Sequence, residues 1–349
     1  MKDLCMKIVK IANHTCMRVQ KMGLPLLSKG YDVHLICQKI PAFGDYYKTI
    51  SVATVPDQLF DEIALHGDAD VFHVHNEPSW YVGCVKEVFP DKPVVLDVHD
   101  TMLVRIDPDD EEHTRISVDE RNNFTLADAH VFVSETVKEV CQREFSLSQP
   151  NIVLPSYVPK RFISIDPWKW LGGVVYEGRL DLPEKIKNGP KGTEFFSYCD
   201  YTNLAKQLSE QGIMLFLYLA SKSDGVQDHY GDTASFQGGY VFNDLIRKIG
   251  RHDWGLVGNI GNHPAWQAAM PNKLFEYMCA GVPPVVFNAK EAGRFVKEHD
   301  VGIVVDSAEE LKDRWKEKRR CRANVFKKRS LFYMENHIGK LEDLYRELV

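Results

Sequence analysis

Lys273 and Glu276 are the residues of this sequence whose types and spacing most suggest chemistry. They lie in a short predicted helix that Asn272 is expected to cap, because an asparagine side chain accepts hydrogen bonds from first-turn amides. Gly281, followed by two prolines, predicts the end of that helix, and a buried strand follows at Val285. A cation and free amides at a helix start suit phosphate groups, and a carboxylate beside them suits hydroxyl groups.

Two interpretations of this pattern are open from the residues alone. A lysine and a glutamate three positions apart commonly form a solvent-exposed ion pair on an ordinary helix. The alternative is a ligand that carries phosphates and hydroxyl groups together, which is the composition of a sugar nucleotide.

Two further stretches place polar residues directly after predicted strands. Arg179 follows the strand at Val174–Tyr176, where its forked guanidinium can bind two phosphate oxygens, although a surface arginine is the simpler interpretation. His99 and Asp100 follow the strand at Val94–Val98. A histidine at a strand end is often structural, and Asp100 is a candidate general base.

His73 and His75 lie two residues apart in a predicted strand, so their side chains share one face of it. This arrangement allows metal ligation. No third ligand follows at a recognisable spacing, and we therefore expect no metal site here.

Two series of alternating strands and helices must position these residues, and the short connections between them imply right-handed parallel units. In the first half the predicted strands are Lys7–Ala12, Tyr31–Cys37, Val71–His75, Val94–Val98, His130–Val133 and Ile152–Leu154, with helices from Met17 towards Gly30 and at Tyr81–Val88 and Arg115–Ala127. In the second half the predicted strands are Val174–Tyr176, Ile213–Leu219, Gly255–Val257, Val285–Phe287 and Ile303–Val305, with helices at Tyr201–Glu210 and Asn243–Ile249. We predict an α/β protein of two doubly wound Rossmann-like domains that face each other across a ligand cleft.

Composition restricts the class of protein. The chain of 349 residues suits two domains, and its net charge of −6 argues against a dedicated nucleic-acid binder. Its 8 cysteines include no C-x-x-C pair, which argues against a zinc ribbon and favours reduced thiols in the cytosol. The N-terminus leads into a strand rather than a signal peptide, and no apolar run is long enough to span a bilayer. We therefore expect a cytoplasmic protein.

The run Pro271–Pro283, Pro-Asn-Lys-Leu-Phe-Glu-Tyr-Met-Cys-Ala-Gly-Val-Pro, closely resembles the nucleotide-binding signature of GT-B glycosyltransferases, particularly those of family 4. The resemblance implies that Glu276 holds the ribose hydroxyls of a nucleotide-diphosphate sugar. It also implies that Arg179 and a following lysine bind the diphosphate. Among the lysines after Arg179, Lys191 precedes a glycine and best matches the family's pattern.

The same resemblance extends to other parts of the chain. His99, at a strand end where the family commonly has a histidine, would lie near the transferred sugar. Asp253–Leu256 resembles the strand that precedes the family's donor loop, here Gly258–Met270. Two positions depart from the family's pattern. The loop at Asn13 lacks the usual glycine, and Ala268 stands where family 4 often has a glutamate that contacts the donor sugar.

Prolines and glycines predict the domain boundaries. We expect an acceptor-side domain at 1–160, a linker at 161–172 and a nucleotide-sugar-binding domain at 173–330. The helix within 331–349 would pack back on the first domain, as it often does in GT-B enzymes. Residues 312–329 are rich in lysine and arginine. A solvated helix is the simpler interpretation of that segment, and a peripheral contact with an anionic membrane is the alternative.

These expectations combine into one favoured function. The chain would move a sugar from a nucleotide-diphosphate donor to a hydroxyl of a glycan, lipid-linked or protein acceptor, with retention of configuration and without a metal or other cofactor. Nucleic acid is not an expected partner. One alternative is a nucleotide-sugar epimerase of similar fold. The other is a non-catalytic nucleotide-sugar binder, which Ala268 makes credible.

Overall fold

The computed structural model of the chain describes residues 6–13, 17–40, 47–76, 78–104, 111–163, 170–180, 199–219, 225–261 and 263–349, with side chains described throughout except at 111–117. The chain forms two compact units. The first comprises Met1–Pro159 and Tyr333–Val349, and the second comprises Lys160–Phe332. The predicted linker overlaps residues 164–169, which lie outside the described residues.

A seven-stranded parallel sheet forms the centre of the first unit, in the order β3-β2-β1-β4-β5-β6-β7. Its strands are β1 (Lys7–Ala12), β2 (Asp32–Cys37), β3 (Ile50–Val52), β4 (Val71–His75), β5 (Val94–Val98), β6 (Ala129–Phe132) and β7 (Asn151–Val153). The chain builds outward from β1 to β3 and then returns past β1 to β4. The winding therefore reverses between β1 and β4, as in Rossmann-type sheets.

The described part of the first unit contains the helices α1 (Met17–Ser28), α2 (Pro56–Ala64), α3 (Tyr81–Val88), α4 (Glu111–Leu126), α5 (Glu135–Phe145) and, at the C-terminus, α14 (Gly339–Leu348). The last of these is anchored by polar and aromatic contacts. The Tyr345 hydroxyl lies 2.5 Å from Nδ1 of His73, and the His337 ring stacks on Tyr157 with centroids 4.1 Å apart. The C-terminal segment is thus part of the first unit's core.

The second unit repeats the same winding in a six-stranded parallel sheet, in the order β10-β9-β8-β11-β12-β13. Its strands are β8 (Val174–Gly178), β9 (Leu215–Leu219), β10 (Ala234–Gly238), β11 (Trp254–Gly258), β12 (Pro284–Phe287) and β13 (Ile303–Val305). Its helices are α6 (Thr202–Glu210), α7 (Val226–Tyr230), α8 (Phe242–Ile249), α9 (Pro264–Ala268), α10 (Asn272–Cys279), α11 (Lys290–His299), α12 (Ala308–Asp313) and α13 (Lys318–Lys328). Here the winding reverses between β8 and β11.

The central strands of both sheets are buried on both faces, which explains their nearly continuous apolar sequences. All residues of β5 and all residues of β11 are buried. The first sheet contains an exception on one face. Lys10 of β1 pairs in register with His73 of β4, and His75 of β4 pairs with Asp97 of β5, so these buried polar residues lie side by side.

The predicted α/β architecture with two parallel sheets is confirmed, and each predicted strand is present within two residues of its predicted bounds. The two strands that were not predicted, β3 and β10, lie at sheet edges. Polar residues interrupt both sequences, Ile-Ser-Val in β3 and Ala-Ser-Phe-Gln-Gly in β10, so neither has the apolar run by which the other strands were predicted. Helix α5 was also not predicted, although Ser134 caps it by accepting from the amide of Val137 at 3.2 Å. The described residues include no helix with the length and apolar character of a bilayer-spanning segment.

Acidification from pH 6.5 to pH 4 is expected to destabilise the first unit through His130. Burial lowers the pKa of His130 from 6.5 to about 4. Because the unfolded chain binds this proton at a higher pH than the folded chain does, stability falls as the pH falls through that window, by about 3 kcal/mol at most. We expect His130→Gln, which retains a donor for the carbonyl oxygen of Phe124, to remove this share of the pH dependence. Urea denaturation at both pH values measures the change, and an unaltered pH dependence in the variant contradicts it.

Candidate functional site

The reversal of winding in the second unit brings together two strands that are far apart in the sequence, β8 and β11. Each ends in a glycine with a positive φ, 129° at Gly178 and 80° at Gly258. A side chain at Gly258 would lie 1.9 Å from the carbonyl oxygen of Phe287, so a larger residue does not fit there. Ligands of doubly wound sheets bind at the carboxyl ends of the strands at such a reversal. These glycines therefore mark the candidate site.

Helix α10 carries the predicted binding residues, and its start differs from the prediction. Asn272 was expected to be the N-cap, but Pro271 occupies that position with an extended backbone (φ −70°, ψ 149°) and Asn272 is the first helical residue. The shift follows from the proline, whose fixed φ suits the residue before a helix start. The side-chain oxygen of Asn272 is buried and has no hydrogen-bond partner among the described residues. It is available to a ligand donor.

The Lys273 side chain lies at the end of β8, beside Gly178. Its ammonium lies 5.0 Å from the ring centre of Tyr176 and 5.7 Å from that of Trp266. A side chain built at Gly178 would begin 3.7 Å from the Lys273 Nζ atom. The absence of a side chain at Gly178 therefore leaves space beside the ammonium, and the half-buried lysine is positioned by two aromatic rings.

Glu276 is 3% exposed, which excludes the ordinary surface ion pair that the sequence left open. A carboxylate buried to this degree requires compensation by donors. The next residue, Tyr277, fixes the helix in place. Its hydroxyl donates to the carbonyl oxygen of Leu256 at 3.1 Å and accepts from the amide of Glu177 at 3.3 Å, so one side chain connects α10 to both strands of the reversal. Burial raises the pKa of Tyr277 well above 10.0 and keeps this donor protonated.

The loop between β11 and α10 is held by amide side chains. Asn259 donates to the carbonyl oxygen of Asp200 at 2.7 Å, and Asn288 donates to the carbonyl oxygen of Asn259 at 3.3 Å. Gln267 donates to the carbonyl oxygen of Asn288 at 2.7 Å. The loop is thus fixed to the segment just before α6 and to the end of β12.

Arg179 is exposed immediately beyond Gly178, and its carbonyl oxygen accepts from the Tyr176 hydroxyl at 2.6 Å. The structure therefore places Arg179 and Lys273 at the end of the same strand. Lys191, the other predicted diphosphate ligand, lies outside the described residues. Ala268, at the position of the family's first glutamate, ends helix α9 and is 3% exposed.

In the first unit, His99 and Asp100 lie in a turn that a buried asparagine holds in place. The Asn76 side-chain oxygen accepts from the amide of His99 at 3.0 Å, and its nitrogen donates to the carbonyl oxygen of Asp100. Asn76 directly follows β4, which flanks the reversal in this sheet. The carboxyl ends of β4 and β5 therefore carry a fixed turn with two half-buried polar side chains.

A fully buried carboxylate, Asp97, organises the side chains behind that turn. The Arg18 guanidinium binds it with two nitrogens, at 2.6 Å and 2.9 Å. His75 Nδ1 lies 2.7 Å from Asp97 and His99 Nδ1 lies 3.6 Å from it. Burial alone would raise the pKa of the Asp97 carboxyl, but Arg18 and His75 outweigh burial and hold that pKa well below 3.8. Asp97 is therefore an anion that fixes His75 and faces His99.

His73, His75 and Asp97 also have the types and proximity of a metal-binding group. The surroundings do not suit a metal ion, because both Asp97 oxygens already accept from Arg18 and one accepts from His75 as well. Burial, together with the positive charge of Lys10, lowers the pKa of His75 to about 3. A guanidinium and an ammonium would repel a cation at this point. Nδ1 of each histidine is hydrogen-bonded, to Tyr345 and to Asp97, whereas Nε2 of each is buried without a hydrogen-bond partner among the described residues.

Several site residues were not identified from the sequence. Asp97 interrupts the otherwise apolar strand β5, and a charged residue in a buried strand is a signal of pairing that was available, whereas Arg18 lies in a helix that also contains Gln20 and Lys21. Asn76 and Tyr277 carried no such signal, because their roles depend on backbone groups of distant strands.

With this geometry established, comparison with known proteins identifies the second unit. Residues 196–329 match the family model described as "Glucosyltransferase 3-like, C-terminal domain". The chain is a glycosyltransferase of the GT-B fold. The comparison with curated proteins finds no match for this glycosyltransferase.

Solved structures that resemble the glycosyltransferase cover nearly the whole chain at low identity. Sucrose-phosphate synthase from Thermosynechococcus elongatus is 15% identical with a TM-score of 0.70, and the match covers 98% of this chain and 99% of that one. HepE from Anabaena, solved in complex with UDP-glucose, is 13% identical with a TM-score of 0.70 over 97% and 99% of the two chains. An α-glucosyltransferase solved with UDP and a DNA containing a HMU base is 12% identical with a TM-score of 0.67 over 98% and 99%.

Removing Arg18 is expected to destabilise the first unit strongly, because it leaves Asp97 buried without its main counter-ion. We expect Arg18→Met to lower the free energy of unfolding by about 3–5 kcal/mol. Arg143→Met serves as the matched control, since its ion pair with Glu144 is exposed (69% and 45%). The control should change stability by less than about 0.5 kcal/mol. Urea denaturation measures both. Equal losses of unfolding free energy in the two variants would show that the buried pair stabilises the fold no more than the exposed pair does.

Proposed function

We propose that this glycosyltransferase moves a sugar from a nucleotide-diphosphate donor, with UDP as the nucleotide, to a hydroxyl of a glycan, lipid-linked or protein acceptor. One observation carries the proposal. Helix α10 places the Lys273 ammonium beside Gly178 at the end of β8 and holds the Glu276 carboxylate, 3% exposed, one turn further along. A diphosphate beside the cation and a ribose beside the carboxylate would use both groups. HepE, which shares the fold, was solved with UDP-glucose.

In the proposed reaction the second unit stabilises the leaving diphosphate. Negative charge grows on the departing phosphate as the bond to the sugar breaks, and fixed cations lower the energy of that state. Lys273 and Arg179 lie at the same strand end and would supply positive charge, with the amides at the start of α10 as further donors. Lys191 is proposed to join them. Because these groups are themselves cationic, we propose that no metal ion is required.

Glu276 is proposed to accept hydrogen bonds from the ribose hydroxyls. An ionised carboxylate has two acceptor oxygens, and the two adjacent hydroxyls of a ribose can donate to them. The rigid attachment of the neighbouring Tyr277 to β8 and β11 supports this assignment, because it fixes the carboxylate relative to the strand ends.

In the first unit, His99 is proposed to contact the transferred sugar. Asp100 is proposed to act as a general base that accepts the proton of the acceptor hydroxyl. The Asn76 clamp and the Asp97 carboxylate, 3.6 Å from His99 Nδ1, support His99 as a positioned donor. We propose retention of configuration, as the resemblance to family 4 implies. Ala268 cannot supply a carboxylate to the donor sugar, so sugar recognition must depend on other side chains.

Isothermal calorimetry with UDP and uridine separates the two proposed roles in the second unit. We expect Glu276→Gln to lower the affinity for both UDP and uridine by roughly 10- to 100-fold, because a hydrogen bond to a charged group contributes about 1.5–3 kcal/mol. Lys273→Met should lower the affinity for UDP by a similar factor and leave the affinity for uridine unchanged, because uridine has no phosphates. Glu298→Gln, at an exposed position of α11, is the control and should bind like the unaltered protein. Equal binding of UDP by all variants would overturn the site, and preference for GDP or dTDP would overturn the choice of nucleotide.

The reaction type is tested by nucleotide release from UDP-sugars in the presence and absence of acceptor. We expect slow release without acceptor, faster release when a suitable hydroxyl acceptor is added, and no loss of rate in EDTA. Conversion of the donor sugar to its epimer without release would identify an epimerase. Nucleotide binding without hydrolysis or transfer across a panel of acceptors would identify a non-catalytic binder.

A further inference from the structure

Helix α13 and its flanking turns present one exposed basic face. Residues 316–331 contain eight lysines and arginines against a single acidic residue, Glu317. The exposed positions recur every three or four residues, which places them along one side of the helix. They are Lys316, Arg319, Arg320, Ala323, Phe326, Lys327, Ser330 and Leu331. We call this set the α13 face.

The basic residues outside the α13 face are used in holding the helix to the second unit. Lys318 pairs with Asp253 at 2.7 Å, and Lys328 donates to the carbonyl oxygen of His299 at 2.6 Å. Arg322 donates to the carbonyl oxygen of His252 and lies over the Trp170 ring. These side chains are committed to internal contacts, so the sequence alone overstates the charge available to a partner.

Three cations of the α13 face remain available. Lys316, Arg319 and Lys327 form no ion pair or hydrogen bond with any described residue. Arg320, by contrast, is bound by Asp300 and Glu317. The same bonds neutralise Glu317, the one acidic residue of the segment. The face therefore presents positive charge without an opposing free carboxylate.

Large apolar side chains lie among these cations. Phe326 is 45% exposed and Leu331 is 58% exposed. Phe326 is braced from behind, because its ring would meet any side chain built on Gly281 and the Arg329 guanidinium lies 4.7 Å from the ring centre. Arg329 also donates to the carbonyl oxygen of Cys279 at 3.1 Å, at the end of α10. The face is thus a rigid surface in which cations alternate with apolar groups.

We infer that the α13 face docks on an anionic lipid bilayer. Cations attract anionic headgroups, and exposed apolar side chains at the same surface enter the headgroup–acyl boundary. A nucleic acid is a poorer fit, because only three cations are available for phosphates and the whole chain carries a net charge of −6. The inference concerns a surface outside the proposed donor site and does not depend on the donor.

The test is sedimentation of the full chain with vesicles. We expect binding to vesicles of equal parts phosphatidylcholine and phosphatidylglycerol, little binding to phosphatidylcholine alone, and release by salt. The combined variant Lys316→Gln, Arg319→Gln, Lys327→Gln should bind roughly a hundredfold more weakly, because each cation near an anionic surface contributes about a fivefold gain. Leu331→Ser should weaken binding by roughly a further factor of 5 to 10.

A charge-matched control separates the face from net charge. The combined variant Lys206→Gln, Lys290→Gln, Lys297→Gln removes three exposed cations elsewhere in the second unit. It should bind within about twofold of the unaltered protein. Equal losses in both triple variants, equal binding to the two kinds of vesicle, no binding to either, or tighter binding to single-stranded DNA than to the anionic vesicles would each overturn the inference. Unchanged UDP binding by all variants would show that the outcome is separate from the donor site.

Discussion

The right-handed crossover of parallel strands is the constraint on which the rest of this structure depends. It requires the chain to return past its first strand when it reverses direction, so β1 meets β4 in one sheet and β8 meets β11 in the other. Helices lie on opposite faces on the two sides of each reversal, and the strand ends between them are left uncovered by either helix layer. Both sets of polar residues described above lie at these strand ends. The topology of each sheet therefore determines where these polar residues gather.

Charged residues near the strand ends are buried and paired in the first unit and accessible in the second. In the first unit, Asp97 and Arg18 are fully buried and satisfy each other, and the structure shows a network that fixes the turn at His99. In the second unit, the half-buried Lys273 ammonium lies near the Tyr176 and Trp266 rings and beside Gly178, and Arg179 is exposed. Buried pairing provides rigidity, and accessible cations provide binding. This difference agrees with a proposed division of labour in which one unit positions groups and the other binds the diphosphate.

The start of α10 shows how far local sequence rules reached. The helix, its left-handed end at Gly281 and the following strand were all predicted from residue types. The cap was wrong, because Pro271 takes the extended cap position and moves Asn272 into the first turn. The consequence is functional, since the Asn272 oxygen is then not used by the helix itself. A surface ion pair between Lys273 and Glu276 was also open from the sequence, and burial of the glutamate excludes it.

The sequence by itself determined the class of fold, the order of the elements and the identity of the residues at the ends of the strands, because apolar runs and glycine stops are local signals. Only the tertiary structure decided which of those residues meet. That Gly178 adjoins Lys273, that Tyr277 joins two strands, and that Asn76 holds His99 depend on strand neighbours separated by tens of residues. It also decided which cations of α13 are free, because pairing with Asp253 or Asp300 is a matter of three-dimensional position. Local sequence gives the type of each residue, whereas its burial and its partners depend on the folded chain.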